Sequence, residues 1–508
     1  MENKRESWGS NIGFLLAAIG SAVGLGNIWG FPYKMGKCGG LAFLLVYLVL
    51  AVFVGFIIMI SELALGRKTK LGPIGAYRKL GTRFPALGWL ALLAPFLIMT
   101  FYSVLGGYCI YYIYINIVGI FAGMPDSSSF GTLLTNPLIG IGVMLLFMVI
   151  CWAINKGGIS GGIEKFNKIG MPALFVMLVI IIIRSVTLPN ASEGLKFMFV
   201  PGYAVEGGFI EESPNFLSVL ATAGGQMFFS LSLAMGIMIT YGSYLDKSES
   251  LPKNAIVIVF SDTLVALMAG IAVIPAAVAN GINSGMAVSD IKLGGPNLLF
   301  STLQDVFCGM GTLGGLFGAI FYILVLIAAV SSAISLIEVI ITFFIDRAET
   351  KGKEYNRSRL TTWTCVAIAV LACLVAADGL GSQANITPAA IFGLDNVVTW
   401  NDCWLDFMDC WSEGLAMPIG AMIMALVIGW EVGPEVIMEE VDSGFQGKLR
   451  GFYRFCIRFI VPVMMCLISA GQIGDFFGNQ IVGYAISAAL LLIYWGMCRA
   501  SDWVNKKA

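Results

Sequence analysis

Two groups of small polar residues stand out because of their surroundings. Ser331 and Ser332 lie side by side in a long apolar run, and Ser230 and Ser232 sit inside FFSLSLAMG. Asn27 belongs to AAIGSAVGLGNIWGFPY (17–33), which gathers Gly20, Gly24, Gly26, Gly30 and Pro32 into one apolar stretch. Glycine costs a helix about 1 kcal/mol relative to alanine, so such clusters predict helices that unwind. Unwound backbone deep in apolar surroundings survives where it lines a cavity or is buried in protein. The competing readings are close helix packing through small residues and, for the serines, hydrogen bonds to their own helix. Glu62, Asp262, Glu338, Asp409 and Glu413 are acids within apolar runs, and ionisable groups in such runs mark function by default. Other chemistries drop out. The chain has no histidine, which removes Ser-His-Asp and Cys-His dyads, His-ligated zinc and imidazole-held haem. Its 11 cysteines form no CxxC pair, and most read as small buried hydrophobes.

The elements that hold these residues are membrane spans. Of 508 residues 58% are hydrophobic and only 12% charged, with a mean hydropathy of +0.86. A soluble domain carries about 25% charged residues. A span needs roughly 20 apolar residues, and that ruler predicts twelve: near 11–37, 41–65, 87–121, 137–154, 166–187, 215–245, 254–281, 311–345, 359–377, 404–430, 452–471 and 481–498. Placing the N-terminus inside puts all but Lys34, Lys37, Arg184, Lys196 and Lys292 of the 30 basic residues on the cytoplasmic side. Both termini are then cytoplasmic. A net charge of −1 offers no basic footprint for nucleic acid. The glycine-rich first and sixth spans are five helices apart, the pattern of two five-helix repeats that each begin with a discontinuous helix. The expected fold is therefore all-α: a polytopic protein of 12 transmembrane helices, two inverted five-helix repeats, and discontinuous helices 1 and 6. The expected division is a cytoplasmic N-terminus (1–10), a first repeat (11–187), an extracellular loop (188–214), a second repeat (215–430), a cytoplasmic loop (431–450) and two further helices (451–508).

GSAVGLGNIWGFPY (20–33), SELALGR (61–67), FFSLSLAMGIMITYGSY (228–244), AAVSS (328–332) and LDFMDCW (405–411) resemble the neurotransmitter:sodium symporters, and most nearly their bacterial amino-acid-transporting branch. The resemblance covers most of the chain. It implies sodium-driven uptake by alternating access, with two sodium sites and one substrate site near the midplane. For the first sodium site the matching positions are Ala22 by its carbonyl, Asn27, Ser230 and, in the seventh span, Asp262. For the second they are Gly20 and Val23 by their carbonyls, with Ala328, Ser331 and Ser332. The substrate carboxylate is expected at the amides of Leu25 and Gly26 and at Tyr102, where a helix N-terminus favours an anion. The amine is expected at carbonyls of Ala22, Phe229 and Ser230 and at Ser232. Monoamine members carry an aspartate where this chain has Gly24. A bare amine there would have no counter-ion, which is costly in an apolar pocket, so the ligand must bring its own carboxylate. Ile98, Tyr102, Phe229, Met235, Ser332 and Leu336 would line the side-chain subsite. They hold no fixed charge, which favours a neutral hydrophobic amino acid. Met235 is adaptable, and Ala234 replaces a frequent glycine.

The resemblance also implies gates. Arg5 and Asp346, with Trp8 and Tyr244 beside them, match a cytoplasmic closure, and Glu62 matches a glutamate that braces the unwound segments. Chloride-dependent relatives place the anion near positions matching Tyr47, Gln226 and Ser230. A carboxylate at Asp262 would supply that charge covalently, so chloride is expected to be dispensable. The chain departs from the family at its outer gate. An arginine is usual where this chain has Gly30, while its partner aspartate is present as Asp409. Lys34, four residues on and on the same helix face, is the candidate substitute, against the reading that Lys34 and Lys37 simply solvate the outer end of the helix. The expected function is thus a sodium-coupled, chloride-independent symporter for a neutral hydrophobic amino acid in a bacterial cytoplasmic membrane, with the lipid bilayer as its other partner. No enzymatic activity is expected, and a channel would not explain one asymmetric pocket aimed at a zwitterion.

Overall fold

The computed structural model describes residues 7–291, 293, 297–393, 401–441 and 443–505. Among the described residues the chain is helical, without strands. Ten helices are long and apolar enough to cross a membrane: Leu41–Thr69, Leu87–Ala122, Pro137–Lys156, Ile159–Val186, Leu251–Asn283, Leu313–Thr350, Arg357–Asp378, Trp404–Val432, Gly447–Phe476 and Gln480–Ala500. An eleventh is the bent pair Asn11–Ala22 and Gly26–Lys37, whose halves meet at 45°. The sixth expected span is present as Phe216–Ser230 followed by Ile237–Ser243. Neither piece alone is long enough to span. All twelve expected segments are therefore helical where the apolar runs place them.

The third and eighth spans pack against one another along their lengths and are mostly buried (72% and 78%), so they form the centre of the bundle. The fourth and twelfth are only 28% and 17% buried, and their apolar faces are left for lipid. The broken spans lie against this centre. At the first break Val23 is extended, which frees carbonyls of the last turn before it. At the sixth, Ser232, Ala234 and Gly236 all adopt left-handed backbone, with φ of 53°, 61° and 74°. Glycine takes that conformation freely and alanine does not. Ala234 is held there by its N–H, which donates to Glu62 Oε1 at 2.8 Å. All eleven cysteines are unbridged thiols.

Candidate functional site

The break in the first span brings three other helices to one point. Asn27 lies in the π-helical turn Gly26–Gly30 just past the break, and its Oδ1 accepts the Gly24 N–H at 3.0 Å. Its Nδ2 donates to Asp262 Oδ1 at 2.7 Å. Ser230, the last residue of the helix Phe216–Ser230 of the sixth span, donates to the same carboxylate at 2.9 Å, and the Tyr47 hydroxyl reaches it at 3.2 Å. Asn27, Ser230, Asp262 and Tyr47 are fully buried. Among the described residues no lysine or arginine stands within 4 Å of Asp262. A buried carboxylate with oxygen neighbours and no basic side chain suits a hard cation.

The serine pair of the eighth span divides its work. Ser332 Oγ donates to the Ser21 carbonyl at 2.9 Å and lies 3.4 Å from that of Gly20, so it ties the eighth span to the freed end of the first. Ser331 Oγ donates to Ala328 O in its own helix at 2.8 Å. That is the bond a serine makes without any ligand, and it leaves the hydroxyl lone pairs available to a cation. Val23 sits at the break itself.

Between these clusters is a cavity of about 20 Å³, with walls from four spans. Of the residues expected to bind substrate, Ala22, Gly26, Ile98, Tyr102, Phe229, Ser232, Met235, Ser332 and Leu336 line it. Two do not. Leu25 contributes only through its N–H, which donates to the Tyr102 hydroxyl at 3.0 Å. Ser230 is turned towards Asp262 instead. Ser21 lines the cavity without having been expected there, and Gly24, the position where monoamine members carry an aspartate, lines it as well. The signal for Ser21 was its place in the glycine-rich break. Its carbonyl accepts from both Ser232, at 2.9 Å, and Ser332. Gly24 is required by close approach: a Cβ there would lie 2.4 Å from Ser332 Oγ and 2.6 Å from the Tyr102 hydroxyl.

Above the cavity a vestibule of about 570 Å³ opens on the side away from residues 7–10. Phe229 lines both spaces, and its ring packs so close to Gly26 that a Cβ there would lie 2.6 Å away.

The model of the Sodium:neurotransmitter symporter family matches residues 5–122 and 130–503. The chain belongs to that family. Among its relatives is the Bacillus subtilis protein described as uncharacterized sodium-dependent transporter YhdH, 33% identical over 480 residues, covering 93% of this chain and 99% of the relative. The sodium-dependent serotonin transporter of Drosophila melanogaster is 25% identical over 507 residues, with 92% and 76% coverage. The crystal structure of MhsT in complex with L-phenylalanine superposes with a TM-score of 0.77 at 34% identity, covering 92% of this chain and 99% of that one.

The two ends of this symporter's pocket are closed differently. On the side of residues 7–10, Trp8 Nε1 donates to the Tyr241 carbonyl at 3.2 Å, and its ring meets Tyr241 edge-on at 4.9 Å and Tyr244 at 6.5 Å. Asp346 Oδ2 accepts the Gly72 N–H at 2.6 Å, and Arg5, its expected partner, lies outside the described residues. Sequence reasoning missed Tyr241, and it left Glu338 without a role. Glu338 is fully buried, pairs with Arg357 at 2.5 Å and accepts the Tyr244 hydroxyl at 3.1 Å. On the vestibule side the expected Lys34–Asp409 pair needs correction. Lys34 pairs with Glu413 at 2.5 Å. Glu413 lies about a turn farther along the tenth span, through the π-helical turn Cys410–Ala416, and its longer side chain reaches into the vestibule. Asp409 stands in the same vestibule wall, partly exposed, with its Oδ1 buried and without a hydrogen-bond partner.

Proposed function

We propose that this sodium-dependent symporter imports a neutral hydrophobic amino acid by alternating access, with both termini cytoplasmic in a bacterial cytoplasmic membrane, and that it needs no chloride. The observation that carries the substrate class is the cavity wall. Its polar atoms are hydroxyls and backbone groups near Leu25 and Ser232, and Ile98, Met235, Phe229 and Leu336 supply the rest without a charged side chain. A zwitterion suits such a wall because its two charges are met at the breaks while its side chain stays in apolar contact. The L-phenylalanine complex of MhsT supports the same class.

Two sodium ions fit the residues present. Asn27, Ser230, Asp262 and the Ala22 carbonyl would hold the first, and the Gly20 and Val23 carbonyls with Ala328, Ser331 and Ser332 the second. The ions supply positive charge beside the substrate carboxylate, and the chain supplies oxygen ligands on both broken helices. The Asp262 carboxylate gives the first site its negative charge, which is the role chloride would otherwise have.

Counterflow of radiolabelled phenylalanine, leucine and their charged counterparts in proteoliposomes tests this reading, with sodium replaced by potassium and chloride by gluconate. The expected result is sodium-dependent, chloride-indifferent exchange of the neutral substrates. Asp262→Asn is expected to abolish exchange or to make it depend on chloride. Collapse of wild-type exchange in gluconate would overturn the chloride assignment, and exchange in potassium would overturn the sodium coupling.

A further inference from the structure

The inner half of the first span, Asn11–Ala22, must separate from its neighbours if the pocket is to open towards the cytoplasm. The fifth span holds it in a way that none of the sodium, substrate or gate assignments uses. Glu164 ends the π-helical turn Ile159–Glu164 and is nearly fully buried. Its Oε2 accepts the Gly9 N–H at 2.8 Å, and its Oε1 accepts the Ser10 hydroxyl at 3.1 Å and pairs with Lys168 at 2.7 Å. Ser10 is at once the cap of the first helix, since its Oγ accepts the Gly13 N–H at 3.0 Å. A buried carboxylate therefore sits on the first turn of that helix, where unpaired N–H groups and the helix dipole favour an anion.

The fit depends on missing side chains. A Cβ on Gly13 would lie 2.0 Å from Glu164 Oε1, and one on Gly20 would lie 2.0 Å from Asn167 Oδ1. Glu164, Asn167 and Met171 follow one another along a single face of the fifth span, and Gly13 and Gly20 leave the groove that receives them. Asn167 is fully buried, and its Oδ1 has no hydrogen-bond partner. This contact is separate from the Trp8–Tyr241 and Asp346 contacts, which lie on the sixth and eighth spans.

We propose that Glu164 is the latch that keeps the inner half of the first span closed against the fifth, and that release to the cytoplasm requires its carboxylate to let go of Gly9 and Ser10. Glu164 is a positioning residue: it touches neither cavity nor ion cluster. The proposal rests on the alternating-access reading, but it is read out without transport. Hydrogen exchange of the full chain in detergent with saturating sodium chloride, followed by mass spectrometry, reports on residues 14–22, whose amides make no bond to Glu164. Glu164→Ala is expected to speed exchange there more than tenfold, while residues 26–37 and 237–243 stay within twofold of wild type. Gly13→Ala, which drives a methyl group into the carboxylate, is expected to give the same pattern by a different route, and Glu164→Asp to restore most of the protection. Unchanged exchange in residues 14–22 in both alanine variants would overturn the latch. So would an equal rise across all spans in both, which marks general loss of structure. Counterflow by the wild-type protein tests alternating access separately, so a carrier that counterflows and whose variants show no local change refutes the latch alone.

Discussion

The two sides of the pocket are built to different standards. Towards residues 7–10 the path is filled by the rings of Trp8, Tyr241 and Tyr244 and by the fully buried Glu338, paired with an Arg357 that is 13% exposed, with Thr342 and Tyr244 hydroxyls beside them. Towards the vestibule Phe229 lines both the cavity and about 570 Å³ of open space, and the ion pair there is a partly exposed lysine and glutamate. The difference is one of desolvation. A charge pair shielded from water is expensive to break, and one at the edge of a water-filled funnel is cheap. The pocket is thus closed on one side by packing, while the other side carries a partly exposed ion pair in the vestibule.

The most severe test of this contrast is Glu338→Ala. Removing one partner of a buried pair costs about 3–5 kcal/mol, so a large loss of thermal stability is expected in detergent. A change as small as that of an exposed pair would show the inner side to be no stronger than the outer. Next come the groups between the two sides. Ser232→Ala and Tyr102→Phe should each weaken amino-acid binding, since a hydrogen bond to a charged group is worth about 1.5–3 kcal/mol. Scintillation proximity binding in sodium chloride would show this as a rise in Kd of roughly 10-fold or more, and unaltered Kd in both would remove these hydroxyls from the site.

Ala234→Gly sharpens the comparison at the hinge of the sixth span. A non-glycine residue in left-handed backbone costs about 1–2 kcal/mol, so glycine should stabilise the protein slightly, read as a small rise in melting temperature in detergent, and leave the ranking of amino acids in competition assays unchanged, since Ala234 does not line the cavity. The smallest effect belongs to the outer pair. Lys34→Ala and Glu413→Gln should each change stability by only about 0–1 kcal/mol, yet be non-additive in the rate of substrate dissociation. Additive effects, or coupling of Lys34 to Asp409 in place of Glu413, would contradict the geometry of the vestibule.

Much of the frame was legible in the residues. Lipid offers no hydrogen bonds, so a span must be a continuous apolar helix, and the twelve segments could be measured with a ruler. The broken spans were legible for the converse reason, because clustered glycines and serines in lipid-length runs make sense only where protein lines a cavity. Asn27, Ser230 and Asp262 were named by resemblance and do meet in space, although Asp262 follows Ser230 by 32 residues and sits on another helix. What escaped the sequence were partners set by side-chain reach. Glu413 and Asp409 both line the vestibule, and only the turn between them and the reach of the longer side chain give the ion pair with Lys34 to Glu413.

The sequence by itself determined the number of spans, the positions of both breaks and the residue types available to a cation and a small solute, because each follows from local composition measured against the bilayer. Tertiary structure alone decided which oxygens face one another. It set Arg357 on Glu338 and Glu164 on the first turn of the first span. These pairings join residues up to 155 positions apart, as in the bond from Gly9 to Glu164. Their geometry is fixed by how helices pack side by side, which the period of a single helix does not encode.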